Sequence, residues 1–220
     1  MAHRFQLTRS GTVFEGRDEA IAQWRAEYRQ CHWVKWPGLI EPGLLSLLQA
    51  KIEAAEFFDK TNVNIGDESR MRPEPVSAVL EFLTNDPAFL EVVRSITGCD
   101  PVGCFRGRVY RLLPNTGQMS DWHTDLVHGR MVTLSINLSA DPYQGGILQF
   151  RENSGTNVVS QVANTGAGDG VLFKIAEGLE HRVTPLTGTV PRTAYAGWFL
   201  REPQFGFLLR KRLEETHATT

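Results

Sequence analysis

Two histidines, one aspartate and one arginine are the residues of this 220-residue chain whose types and spacing best suit chemistry. His123 and Asp125 flank Thr124 at the end of a predicted strand. In extended backbone, residues i and i+2 share a face, so an imidazole and a carboxylate turn toward one point. His181 follows 58 positions later, just before a predicted strand over 182–185. Two neutral imidazoles and one carboxylate make the facial triad that holds non-haem Fe(II) and leaves coordination positions open. Zinc accepts the same donors, although a structural zinc site more often uses cysteine. Arg192, 11 residues after His181, opens a further predicted strand. A guanidinium pointing inward there is a bidentate clamp for a carboxylate. Triad and arginine together predict a small carboxylate ligand that also chelates the metal. Ala194, Ala196 and Trp198 share Arg192's face; the alanines leave room beside its stem, and Trp198 either caps the pocket or fills the core.

Those residues need a rigid frame, and the second half of the chain reads as strands. The segments 105–113, 131–138, 147–151, 158–162, 170–175, 182–185 and 192–200 are β-prone and are separated by turn signals such as Asn115-Thr116-Gly117, Gly145-Gly146 and Asn153-Ser154-Gly155. The first half reads as helical, over about 17–29, from Pro42 to Ala55, over 75–84 and over 86–97, where Asp86-Pro87 predicts a cap and first-turn proline and Gly98 a stop. Residues 1–16 predict one short strand, and 31–36 a β-prone stretch ending at Pro37-Gly38. The polar run 57–73 predicts a surface loop or a lid over the site. Helices followed by short, regularly spaced strands predict an α+β fold with a mainly β core, a jelly roll supported by N-terminal helices. One domain is expected: helical support over 1–100, the β core over 101–205, and a tail over 206–220 whose Arg210-Lys211-Arg212 run is a solvated, fraying end.

Composition narrows the function classes. The chain is 41% hydrophobic and 22% charged, and its net charge of −2 argues against binding nucleic acid through a broad basic surface. No stretch reaches 18 uninterrupted apolar residues, so no membrane span is expected. Cys31, Cys99 and Cys104 are odd in number and form no CxxC, which fits a reducing compartment. The N-terminus lacks an apolar signal segment, and a cytoplasmic location is expected. The sequence leaves the oligomeric state open.

The pattern His123-Thr124-Asp125, His181, Arg192 resembles the Fe(II)- and 2-oxoglutarate-dependent oxygenases. Its surroundings are similar to the prolyl-4-hydroxylase-like branch: Tyr110-Arg111-Leu112-Leu113-Pro114 before the His-x-Asp, Thr133-Leu134-Ser135-Ile136-Asn137-Leu138, the turn Gly145-Gly146, and His181-Arg182-Val183-Thr184-Pro185. The resemblance covers about 105–200. It implies a double-stranded β-helix, Fe(II) on His123, Asp125 and His181, and 2-oxoglutarate chelating the iron with its distal carboxylate on Arg192, assisted by Tyr110. O2 is then the oxidant, succinate and CO2 are products, and hydroxylation of an unactivated C–H of a small-molecule, amino-acid or peptide-type substrate is expected. Prolyl-4-hydroxylases usually carry lysine at the clamp, so Arg192 does not point to proline as substrate. Asp125 argues against halogenation, since halogenating relatives replace that carboxylate.

The remaining candidates follow from strand faces. Thr133, Ser135 and Asn137 form a polar face opposite Val132, Leu134 and Ile136, and must meet water, ligand or a buried network. Thr133 and Asn137 are candidates for the cosubstrate, and Ser135 and Trp198 for the substrate. Arg106 and Arg108 share a face with Tyr110 and either meet an acidic substrate or form a solvated edge. His128 reads as a loop histidine, His32 as core or surface, His3 and His217 as solvated termini, and Asp169 as a turn residue. Two further readings remain: a cupin-like metal dioxygenase without 2-oxoglutarate, in which Arg192 has no role, and a non-catalytic β-helix binding module with structural histidines.

Overall fold

A computed structural model describes residues 4–62, 66–99, 101–127 and 129–201. The chain opens with strands β1 (Arg4–Thr8) and β2 (Gly11–Glu15), helix α1 (Arg17–Cys31), strand β3 (Trp33–Trp36) and helix α2 (Pro42–Glu53). Strands β4 (Phe57–Asn62) and β5 (Gly66–Met71) come next, then helices α3 (Pro75–Thr84) and α4 (Pro87–Thr97). The β half contains β6 (Cys104–Leu112), β7 (Ser120–His123), β8 (Arg130–Asn137), β9 (Gln144–Gly145) and β10 (Leu148–Glu152). It closes with β11 (Ser160–Val162), β12 (Gly170–Lys174), β13 (Leu179–Val183), β14 (Leu186–Thr187) and β15 (Arg192–Leu200).

Two antiparallel sheets carry the architecture. The larger has seven strands in the order β3-β12-β8-β15-β6-β5-β4, and the smaller four, β11-β10-β13-β7. This is the jelly-roll arrangement expected of a double-stranded β-helix with N-terminal helices. Strand alternation divides the apolar residues between two cores. Val132, Leu134, Ile136, Tyr195 and Phe199 turn toward the helices, joining Leu44, Leu80, Phe89 and Val93. Tyr110, Ala194, Val171 and Phe173 turn toward the smaller sheet and meet Leu148, Phe150 and Val183. The central strand β8 is therefore covered on both faces, which is why nearly all of it is buried.

The helices begin and end where local chemistry directs. The Asp86 carboxylate accepts from Ala88 N (2.8 Å) at the start of α4 and, from its other oxygen, Thr12 N (2.8 Å), so one cap also ties the N-terminal hairpin to the helix. Gly98 ends α4 at φ 70°, a left-handed conformation that costs glycine nothing. Glu41 caps α2 by accepting from Gly43 N and Leu44 N. Phe5 packs against Phe14, Trp24, Trp36 and Phe89, with ring centroids 4.9 to 5.7 Å away. Contacts of that kind add about 0.5–1.5 kcal/mol each beyond burial and hold the helical layer on the sheet.

Four sequence expectations change. Residues 4–15 form a two-stranded hairpin, not one strand. The polar run 57–73 is mostly a hairpin, not a loop: β5 joins the large sheet through Ser69 and Arg70 opposite Arg111 and Tyr110. Strand β13 begins at Leu179, so His181 lies inside a strand. Asp169, expected as a turn residue, is buried, accepts from Gly38 N (2.9 Å) and pairs with Lys35 (3.0 Å). Among the described residues no helix is long and apolar enough to cross a membrane.

Candidate active site

Strand register brings the triad together. β7 runs antiparallel to β13 with His123 directly opposite His181. Such cross-strand neighbours have Cβ atoms about 4.5–5.5 Å apart, and here the imidazole centroids are 4.3 Å apart. Trp122, on the opposite face of β7, has the guanidinium carbons of Arg151 and Arg182 each 4.6 Å from its ring centroid. Asp125 lies just past the end of β7, with Oδ2 3.5 Å from His181 Nε2 and Oδ1 4.0 Å from His123 Nε2. One ligand atom from each of the three residues lies within 4.8 Å of the others.

Each ligand is oriented by its neighbours. His123 Nδ1 donates to the Asp121 carbonyl (2.6 Å). A carbonyl only accepts, so this contact assigns a proton to Nδ1 and makes Nε2 the ring nitrogen that can ligate a metal. Asp125 accepts from Thr133 Oγ1 (3.3 Å) and Arg130 Nη1 (3.3 Å). His181 is buried, with Phe173 edge-on at 4.9 Å. Burial and the adjacent His123 push its pKa below the usual histidine range, against the opposing pull of Asp125. It therefore stays neutral, which is the ligating form. Two neutral imidazoles and a carboxylate, on one side of an open cavity, fit Fe(II) by donor chemistry and by the positions they leave open.

The triad faces a cavity of about 410 Å³ between the two sheets. At its inner end Arg192 is almost fully buried. Its Nη1 donates to Tyr110 Oη (2.7 Å), its Nε to Tyr143 Oη (3.2 Å) and its Nη2 to Ser135 Oγ (3.1 Å). Tyr143 in turn donates to the Asn164 carbonyl (2.6 Å). Every one of these partners is neutral, and among the described residues no carboxylate lies within ion-pair distance of Arg192. A buried guanidinium without a counter-charge is costly, so the site fits a ligand that brings a carboxylate. The paired glycines make room for the clamp. A Cβ on Gly146, at φ 62°, would lie 2.9 Å from Tyr143 Cε2 and 3.2 Å from Arg192 Cδ.

At the outer end the charges are denser. The Glu68 carboxylate, 5% exposed, accepts from Arg108 Nε and Nη2 (2.8 and 2.9 Å) and from Arg70 Nε and Nη2 (3.0 and 2.7 Å). Burial alone would raise the Glu68 pKa, but the hydrogen bonds and charges of Arg108 and Arg70 outweigh it and hold the group below the usual carboxylate range. Arg130 lies over the Trp198 ring, its Cζ 3.5 Å from the centroid.

The cavity thus gathers His123, Asp125, His181, Arg192, Tyr110, Thr133, Ser135, Arg108 and Trp198 from the residues singled out in the sequence. Two others lie elsewhere. Asn137 donates to the Gly166 carbonyl and accepts from Ser139 N, and it braces the end of β8 away from the cavity. Arg106 is exposed and does not line the cavity. His3, His128, His217 and the 210–212 run lie outside the described residues. Sequence reasoning missed Tyr143, Glu68, Arg70 and Arg130. Only Glu68 and Arg70 left a trace, as the i, i+2 charges of a polar strand.

Comparison with known proteins agrees with this geometry. Residues 107–200 match the family model of the 2OG-Fe(II) oxygenase superfamily. Among curated proteins no sequence matches significantly. An oxidoreductase of the 2OG-Fe(II) oxygenase family from Burkholderia pseudomallei superposes with a TM-score of 0.65 at 15% identity, covering 90% of this chain and 96% of its own. A Pseudomonas putida prolyl-4-hydroxylase gives 0.61 at 20% identity, covering 83% and 99%. HygX from Streptomyces hygroscopicus, solved with nickel, 2-oxoglutarate and hygromycin B bound, gives 0.56 at 13% identity, covering 83% and 87%. At these identities the structural likenesses establish the fold.

Proposed function

We propose that this chain, whose residues 107–200 match the family model of the 2OG-Fe(II) oxygenase superfamily, is an Fe(II)- and 2-oxoglutarate-dependent hydroxylase of an unactivated C–H in a small-molecule, amino-acid or peptide-type substrate. One observation carries the reading: a 2-His-1-carboxylate triad shares a cavity with a buried arginine whose partners are all neutral. His123, Asp125 and His181 would hold the metal, and Arg192 the far carboxylate of 2-oxoglutarate. Iron, 2-oxoglutarate and O2 supply the oxidising chemistry, with succinate and CO2 leaving.

The chain's own part is to bind, orient and keep the site dry. Asp121 and Thr133 set the angles of His123 and Asp125. Tyr110, Tyr143 and Ser135 hold the Arg192 fork in one plane, so a carboxylate meets prealigned donors. Leu148, Val171 and Phe173 wall the cavity with apolar surface, which strengthens each ionic contact inside it. Asp125 keeps a carboxylate in the triad and so leaves its position closed to halide, which favours hydroxylation. A metal dioxygenase without cosubstrate would leave the Arg192 charge without a task. An odd number of cysteines with no CxxC pair suits a reducing cytoplasm.

The test is succinate formation from 2-oxoglutarate across a panel of amino acids, peptides and small metabolites, with mass spectrometry of the products. Hydroxylation predicts succinate matched by a gain of one oxygen. A loss of two hydrogens would reassign the enzyme as a desaturase, and no 2-oxoglutarate consumption by iron-loaded protein with any substrate would count against the reading.

A further inference from the structure

The outer end of the cavity carries a guanidinium that the proposed chemistry engages through a single contact, to Asp125. Arg130 leaves β8 half-buried and lies flat on Trp198, 3.5 Å from the ring centroid. Stacking fixes the plane of the fork, and among the described residues the only side-chain acceptor on its donor edges is Asp125. Its carboxylate contact, 3.3 Å to Asp125 Oδ1, is with a proposed metal ligand, whose charge a bound divalent ion would share. Arg108 crowds the same indole, its Cζ 5.5 Å from the centroid, and is already committed to Glu68. Glu68 itself serves two arginines, Arg108 and Arg70. The Trp198 indole N–H is also buried without an acceptor among the described residues.

Charge balance points the same way. Among the described cavity residues the four guanidiniums of Arg70, Arg108, Arg130 and Arg192 face the three carboxylates of Asp67, Glu68 and Asp125. One positive charge is left over. A divalent metal and dianionic 2-oxoglutarate cancel each other, so the surplus persists in the loaded enzyme. One carboxylate neutralises it, whereas a phosphate monoester, at about −1.5 to −2, overshoots.

We propose that Arg130, held against Trp198 and backed by Arg108, docks a carboxylate of the substrate, so that the enzyme acts on a carboxylic acid. The inference rests on the reading above and names its substrate class. Because Arg130 touches Asp125, a carboxylate held there keeps the oxidised carbon within a few bonds of the acid group.

The experiment uses the full chain loaded with Zn(II) and saturated with 2-oxoglutarate. Ligand-observed NMR and calorimetry then compare small carboxylic acids, phosphate monoesters and neutral amides of matched skeleton. Carboxylates should bind at least tenfold tighter than their amides. Arg130→Gln should weaken the carboxylates at least tenfold, with Arg130→Lys intermediate. Both variants are assayed at Zn(II) and 2-oxoglutarate saturation checked by titration, which also reports that they fold, so any effect passed through Asp125 falls on metal or cosubstrate affinity and not on the ratio of carboxylate to amide binding. With 2-oxoglutarate bound, the inference alone is overturned if no carboxylate binds, if amides or phosphate esters bind as tightly, or if Arg130→Gln binds carboxylates like the wild type. Failure of the wild-type protein to bind 2-oxoglutarate overturns the function above and this inference with it.

Discussion

Replacing Arg192 by methionine should move cofactor affinity and apoprotein stability in opposite directions. Arg192 is 3% exposed, and its three donor contacts go to the hydroxyls of Tyr110, Tyr143 and Ser135. In the apoprotein these dipoles solvate a charge that has no carboxylate beside it. Methionine fills the stem's volume without that cost, and Tyr143 keeps its bond to the Asn164 carbonyl. Apo Arg192→Met should therefore unfold at the same temperature as the wild type or a few degrees higher, since replacing buried charge by apolar volume is often neutral or stabilising by about 1–4 kcal/mol. With 2-oxoglutarate the order reverses. Losing a bidentate contact to a buried carboxylate costs about 3–5 kcal/mol, which weakens binding about 100- to 1,000-fold or more. At 100 times its dissociation constant the cosubstrate stabilises the wild type by about 2.7 kcal/mol, or about 5–11 °C for a chain of this size. Thermal unfolding of the Zn(II)-loaded proteins with and without 2-oxoglutarate reads both effects. The reasoning fails if the variant loses several degrees as apoprotein, or if 2-oxoglutarate raises its unfolding temperature as much as that of the wild type.

Other substitutions probe the surroundings of the site. Asp125→Asn should weaken metal binding at least about 100-fold, and Thr133→Val, which removes only the hydroxyl that orients Asp125, about 10- to 100-fold, read by competition with a chelating dye. Gly197→Ala should cost about 3 kcal/mol or more in urea denaturation, because its Cβ would lie 1.8 Å from the Arg106 carbonyl oxygen and 2.4 Å from Gly107 Cα across the sheet. Glu68 should contribute to acid sensitivity. Its folded pKa is held down, so the unfolded chain takes up the proton first; the stability it confers is full above the ordinary glutamate range, about 4.3, and is lost as pH falls through the folded value. Glu68→Gln should therefore flatten that acid loss while costing about 1–3 kcal/mol at neutral pH, measured as unfolding free energy against pH.

The readable parts of this protein are those whose function forces a local pattern. A ligand pair at i, i+2 must show itself as His123-x-Asp125, and a strand with one face in the core and the other on the cavity alternates apolar and polar residues, as β8 does. Helix α4 is legible because Asp86, Pro87 and Gly98 state both its ends. The hairpin β4–β5 was not, because it is an edge element. Its side chains are Asp59, Lys60, Asp67, Glu68 and Arg70, and its place is set by backbone pairing to β6 and by the Arg108–Glu68 bridge, which depend on a partner 40 residues away. Polar edge strands also resist unwanted pairing, so their composition hides them. Tyr143 precedes the double glycine as an ordinary loop tyrosine, and only folding brings it to Arg192. The stacking of Arg130 on Trp198 likewise follows from the β8–β15 register, which no local pattern displays. Asn137 had the right face and the wrong end of the strand: past Ser135 the cavity closes, and its amide serves Gly166 and Ser139 instead.

The central claim is that His123, Asp125 and His181 hold iron at one end of a cavity while Arg192 holds 2-oxoglutarate at the other. Anaerobic titration of the Fe(II)-loaded protein with 2-oxoglutarate, followed by visible absorption, tests it directly. A weak metal-to-ligand charge-transfer band toward the red should grow to saturation at one equivalent of cosubstrate in the wild type. It should be absent in His181→Ala and should require at least about 100 times more 2-oxoglutarate in Arg192→Met. Stoichiometric iron binding with no band at any 2-oxoglutarate concentration would contradict the account.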